Sequence, residues 1–208
     1  MMIEYNLKIM DEYLEKFKEY LDSIKEETYE SYLKHKESSG PFGNVTLDIQ
    51  FISIFDKNLL RFPQLHYSSF LVTWYSFLES ELKGLCEFCN EEYKLGKSTK
   101  DLSGKYSIKN YIEKNIGNLI DKEKWMEIDN LAVLRNKVAH LGLDFDKRLD
   151  EYKSIKTYID THKLIKEGKY SAIYITFEFC KYLLDFANKL FFGIYYQINS
   201  LYMIEKGQ

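Results

Sequence analysis

Between Phe70 and Cys89 the chain carries too many large apolar side chains to sit on a protein surface. Leu71, Trp74, Tyr75, Leu78, Leu82, Leu85 and Cys89 recur at helical spacing on one face, and Phe70, Phe77 and Phe88 widen it. A helix running from His66 to about Leu95 with this pattern has to be wrapped by other helices on most of its sides. Two carboxylates interrupt it. Glu81 falls on the flank between Trp74 and Phe88, and Glu79 falls on the other flank beside Cys86. A carboxylate in an apolar wall needs a cation or hydrogen-bond donors to stay there.

The helices to wrap it are legible. Ile3, Leu7, Met10, Leu14, Phe17, Leu21 and Ile24 step by four and three, a narrow seam that wants one helical partner, within the chain or in a dimer. Thr176 is placed to cap a last long helix through about Tyr202, in which Phe177, Phe179, Leu183, Phe186, Leu190, Phe191 and Ile194 are too apolar to stay exposed. Shorter helices are expected from Ser107 to Ile116 and after Asp121, each residue acting as a cap, and in the charged segment 144–158. Glu167-Gly168-Lys169 reads as the turn of a small hairpin returning through Ile173, Tyr174 and Ile175. The fold class is therefore all-α, an antiparallel helical bundle with one small β-hairpin. It divides into an N-terminal amphipathic helix (1–40), a connecting segment (41–64) and a helical domain (65–208). Ser38 to Gly43 breaks the first helix and Pro63 closes the connecting segment. The alternation of Val45, Leu47, Ile49 and Phe51 suits a strand, while Leu47, Phe51, Ile54 and Phe55 suit a short helix.

The chemistry concentrates in Asp129 to Leu141. The apolar stripe of this helix is Ile128, Leu131, Ala132, Val138 and Ala139, and Arg135 falls in its middle. A guanidinium there must find a carboxylate, carbonyls or a bound anion, because an unpaired buried charge costs several kcal/mol. Glu81 on the long helix is the partner expected, with Glu79 the alternative. Asp129, Val133, Asn136 and His140 make a second stripe, which sets Asn136 and His140 one turn apart. A purely structural reading pairs Arg135 with a buried Glu, bonds Asn136 to a loop and leaves His140 to cap the helix before Gly142.

Arg135-Asn136-Lys137-Val138-Ala139-His140, an Arg followed by a polar residue and, three further residues on, a His late in a helix, resembles the R-x4-6-H signature of the HEPN (higher eukaryotes and prokaryotes nucleotide-binding) superfamily. The resemblance extends over about Tyr67 to Tyr202. Many members are metal-independent ribonucleases, and they often carry an acidic residue on the equivalent earlier helix. The resemblance implies a catalytic set of Arg135, Asn136, His140 and Glu81, with no cofactor and no metal. It implies a homodimer whose site lies where two motif helices meet, and RNA cleaved by 2′-hydroxyl attack to a 2′,3′-cyclic phosphate. It further implies a toxin or antiviral defence role, restrained by an antitoxin such as a small nucleotidyltransferase.

Other classes lack support. The chain has 208 residues, 45% of them hydrophobic, and a net charge of −3, so no global basic field marks a constitutive nucleic-acid binder. A local one exists: from Lys94 to Trp125 eight lysines (94, 97, 100, 105, 109, 114, 122, 124) stand against four acids, either a solvated surface or a phosphate track. Cys86 and Cys89 form C-x-x-C without a second ligand pair, so packed thiols are expected, and three cysteines make no disulfide framework. Phosphate-loop, dinucleotide-binding, serine-hydrolase and zinc-protease motifs are not found. With no signal-peptide pattern and no apolar run of spanning length, the expected location is the cytoplasm, off the membrane. The rival to a nuclease is a non-catalytic module of the same fold, binding a protein or a nucleotide, in which Arg135 belongs to a structural ion pair or holds a phosphate without cleavage.

Overall fold

In the computed structural model, which describes residues 2–38, 45–141, 150–162, 165–167 and 173–205, the apolar segment forms α3, Phe62–Glu92. Leu71, Trp74, Tyr75 and Leu78 are fully buried along it. The helix starts earlier than His66: Pro63, expected to close the preceding segment, does not stop it, since Arg61 and Phe62 before the proline already have helical backbone. At the other end Phe88 is 49% exposed, so the apolar face is narrower there than its composition suggests.

The N-terminal seam finds its partner inside the chain. Helix α1 (Met2–Ser38) lies along α7 (Phe177–Glu205), with Ile3, Leu7, Leu14 and Leu21 buried in the same core as Phe179, Leu183 and Leu190. Lys181 of α7 ties the polar edge of this contact by reaching both Asp11 and, at 2.8 Å, Glu15. The ambiguous stretch is helical, not extended: α2 (Val45–Phe55) passes through a π-helical stretch, Asp56–Arg61, directly into α3. Asn58 donates to the buried Thr28 hydroxyl at 3.1 Å, fastening the π-helical stretch to α1. Apart from Ser38, the helix break expected before α2 lies outside the described residues.

The remaining elements close round α3. Helix α4 (Gly104–Asn115) begins before Ser107, which is thus inside the helix and donates to the Ser103 and Gly104 carbonyls rather than capping it. Helix α5 (Lys122–Leu141) is the motif helix, and its start is capped as expected, with the Lys124 N–H donating to Asp121 Oδ1 at 2.8 Å. Helix α6 (Asp150–Thr161) leads to a two-stranded antiparallel hairpin, β1 (Ile165–Glu167) and β2 (Ile173–Ile175), in which Ile165 opposes Ile175. Its turn, residues 168–172, lies outside the described residues. The buried Gln64 amide holds β2 on α3, donating to the Ile175 carbonyl at 3.0 Å and accepting the Ile175 N–H at 2.9 Å. Thr176 caps α7 through the Phe179 N–H. The architecture is an all-α bundle with one small hairpin among the described residues. No described helix is long and apolar enough to cross a membrane.

One partly buried carboxylate joins three helices. Glu127 on α5 accepts hydrogen bonds from Tyr158 of α6 at 2.6 Å and Tyr182 of α7 at 2.7 Å, and His162 lies 3.5 Å away. Burial and this carboxylate push both phenols above their ordinary range, so they remain donors. The motif helix is thereby anchored at its N-terminal half.

His66 gives the fold a pH signature. Its ring stacks on Phe17 of α1, its Nε2 is buried without a hydrogen-bond partner, and burial lowers its pKa to about 4. The imidazole is neutral in the fold, whereas in the unfolded chain it takes a proton near pH ~6.5. The unfolded state therefore binds more protons below that value, and stability falls as pH drops from about 6.5 to 4. For a half-buried ring the loss is about 1 kcal/mol after solvent screening, or roughly 2–4 °C in Tm. Thermal melts across this window should show that much extra loss for the wild type relative to His66→Phe. Parallel curves would assign the acid sensitivity to other groups.

Candidate active site

Arg135 projects from α5 onto the flank of α3. Its Nη2 lies 3.1 Å from Glu79 Oε2, with the two side chains 25% and 24% exposed. Its Nη1 donates to Asn136 Oδ1 at 2.7 Å. The guanidinium carbon stands 4.7 Å from the centroid of the Tyr75 ring, within the range of a cation–π contact. Carboxylate, amide and aromatic face together fix the plane of the guanidinium. Each terminal nitrogen carries two N–H groups, and among the described residues these contacts use one on each, which leaves a second donor on both.

The expected acid is not the one that meets Arg135. Glu81 points toward α1, where Asn6 hydrogen-bonds its carboxylate, and burial raises its pKa. Two residues along a helix are about 200° apart, so the two glutamates lie on opposite flanks of α3. Helix α5 covers the Glu79 flank, and α1 approaches the other. Periodicity placed both carboxylates at the edges of the apolar face but could not say which helix covers which edge. Asn136 is brought to Arg135. His140 is in the last turn of α5, and its side chain lies outside the described residues. The helical backbone between them keeps Arg135 and His140 about 140° apart around the axis.

Three further groups complete the surroundings. Tyr75, fully buried, is the floor beneath the guanidinium. Its hydroxyl has no hydrogen-bond partner, and burial together with the adjacent Glu79 charge holds the phenol well above its usual range. The signal for it was its place one turn before Glu79, on the same face of α3. Gly104, at φ 71°, opens α4 so close to the site that a Cβ there would stand 3.9 Å from Glu79 Oε1. Lys105 binds Asp129 Oδ1 at 2.8 Å, so the first member of the second stripe is held by α4.

The lysine-rich segment is also partly consumed. Besides Lys105, Lys124 pairs with Asp121 and Lys109 sits over the Trp125 ring at 5.3 Å, so three of its cations already have internal contacts. The thiols of Cys86, Cys89 and Cys180 are free and buried. Burial pushes Cys86 up to about 12 and Cys89 to about 11, which leaves neither as a ready nucleophile. No protein-family model, curated protein or solved structure matches this chain.

A double-mutant cycle separates the two glutamates. Losing Glu79 strands a partly buried guanidinium, so Glu79→Gln should cost roughly 1–2 kcal/mol, between the surface and buried limits for ion pairs. In urea unfolding, Glu79→Gln with Arg135→Met should be non-additive by at least ~0.5 kcal/mol, and Glu81→Gln with Arg135→Met additive within ~0.3–0.5 kcal/mol. Coupling in the Glu81 cycle alone would contradict this geometry.

Proposed function

We propose that the chain is a metal-independent endoribonuclease of HEPN type that acts on RNA as a homodimer. The observation that supports this most is the state of Arg135. It is a cation on the motif helix, oriented by Glu79, Asn136 and Tyr75, a quarter exposed, with donors to spare. In this reading the RNA 2′-hydroxyl attacks the adjacent phosphorus, the bond to the 5′-oxygen of the next nucleotide breaks, and a 2′,3′-cyclic phosphate remains. Arg135 stabilises the charge growing on the phosphoryl oxygens. His140 moves the proton, imidazole being the side-chain type suited to giving and taking protons near neutral pH. Asn136 and Glu79 hold Arg135 in plane; Glu81 has no part in the reaction. A second copy supplies the opposing Arg-His set, which one helix cannot bring to a single phosphate. A cytoplasmic toxin or antiviral role, checked by an antitoxin such as a nucleotidyltransferase, follows from the same resemblance.

One observation favours the rival reading. Glu79 already satisfies Arg135 as an internal anion, as expected of a structural pair in a non-catalytic protein- or nucleotide-binding module. Activity decides between them. Incubated with total RNA in EDTA, the wild type should yield cyclic-phosphate ends. Arg135→Ala should lose about 10²–10³-fold in rate, the scale of removing one charge-stabilising group. His140→Ala should be inactive, and Glu81→Gln should cleave like the wild type. A folded, dimeric wild type that leaves RNA intact would hand the fold to the interaction-module reading.

A further inference from the structure

The rim of the Arg135 site is built partly by α4. Glu79 bridges the two: its Oε2 meets Arg135 at 3.1 Å, while its Oε1 faces the first residue of α4, 3.9 Å from where a Gly104 Cβ would stand. Two residues into that helix, Tyr106 is 70% exposed. Burial is the main cause of the raised Tyr75 phenol, and Tyr106 is near enough to add to it. The exposed ring therefore shares the neighbourhood of the aromatic floor beneath the guanidinium.

A single exposed apolar side chain is common on a surface and means nothing by itself. Position separates this ring from the others. On α3, α4 and α5 the other exposed large hydrophobics among the described residues are Phe62, Leu65, Phe88 and Met126. Phe88 lies about 13 Å along the axis beyond Glu79, Phe62 and Leu65 lie further off on the other side, and Met126 is about 13 Å before Arg135. Tyr106 is the one exposed aromatic at the site among the described residues.

The ring is also oriented. Lys105 Nζ stands 4.8 Å from its centroid and is tied to α5 through Asp129 Oδ1 at 2.8 Å, which holds a cation on one face. The exposed neighbours of the ring on this helix end, Ser103 and, one turn after Tyr106, Asn110, are polar and short. They make no apolar patch of the kind a protein partner would cover. A lone π-face beside an oriented cation with donors to spare suits a ligand that carries an aromatic plane and a phosphate together, as a nucleotide does.

We propose that Tyr106 is a base-stacking residue for the RNA, taking on its open face the base of a nucleotide that flanks the phosphate held at Arg135. The inference rests on the ribonuclease reading for its substrate but is tested apart from cleavage. Tyr106 binds and has no part in bond breaking. Every base has a π-face, so the ring alone favours none of them.

The test uses the full chain and fluorescein-labelled 2′-fluoro octamers of A, C and U, which lack the attacking hydroxyl and stay intact, followed by fluorescence anisotropy. The wild type should bind at least one. Tyr106→Ala should weaken that binding about tenfold, within the range of one base–aromatic stack, and Tyr106→Phe should hold it within about twofold, because the ring face makes the contact. Tyr106→Ala should leave the salt dependence of binding unchanged, whereas Arg135→Ala should reduce its slope by about one phosphate contact. Since the ring is exposed, the melt of Tyr106→Ala should stay within about 2 °C of the wild type. In RNA cleavage Tyr106→Ala should raise KM with kcat kept, the pattern of a contact made equally in ground and transition states. No octamer bound by the wild type, binding unchanged by Tyr106→Ala, or an equal loss in Tyr106→Phe overturns the stack, and cleavage persisting in any of these cases leaves the nuclease standing. Tyr106-dependent binding without cleavage keeps the stack and removes the nuclease.

Discussion

The pairing of Arg135 with Glu79 is what allows α5 to lie against α3. Leu131, Leu134 and Val138 of α5 are buried with Leu71, Trp74 and Leu78 of α3 in one core, and the guanidinium enters the edge of that contact. Without an anion, desolvating it would oppose the burial of the whole helix. Glu79 supplies the anion and the Tyr75 face supplies an apolar surface that still attracts a cation. The Glu127 node then holds the other half of α5 to α6 and α7, so the motif helix is fixed at two points two turns apart.

Where the ion pair sits decides what it can do. A fully buried pair would be locked, since separating its charges there costs several kcal/mol. A fully exposed one would leave the guanidinium unoriented, held by less than about 1 kcal/mol. At a quarter exposure the arginine is aimed without being locked, which is the condition the proposed phosphate contact requires. Gly104 at the start of α4 matters here. A Cβ there would meet Glu79 only at ordinary contact distance, so it is the positive φ, one that other residues adopt only with strain, that calls for glycine.

What the sequence revealed follows from the range of each signal. Helix periodicity is local, so α1, α3, α5 and α7 and the caps at Asp121 and Thr176 were legible from spacing and end residues. The conflict of Arg135 with its apolar stripe demanded a partner, and a carboxylate on α3 answers it. Which carboxylate depended on the rotation of α3 about its axis, a tertiary quantity that period 3.6 leaves open, and so Glu79 took the place given to Glu81. Val45 to Phe55 was undecided for a similar reason: a short apolar run satisfies both periods, and its continuity with the π-helical stretch and α3 settles it as helix. Ser107 misled because a serine before an apolar run resembles a cap wherever it falls, while the extended backbone that starts α4 belongs to Ser103. The Glu127 node could not be anticipated, since its four members come from three helices and the loop after α6.

The buried polar atoms left unmatched carry a last constraint. Native interiors match nearly all such groups, so each exception needs a cause. Three of them, Ser68 Oγ, Tyr75 Oη and Arg135 Nε, belong to the α3–α5 seam. Tyr75 follows Ser68 by seven residues, two turns along one face of α3, and Arg135 lies over its ring. A helix contact selected for stability alone would replace them, because Ser→Ala and Tyr→Phe at these positions remove an unmatched group with little loss of packing. Their alignment beside the oriented Arg135 puts a local cost in the α3–α5 seam that packing alone does not require.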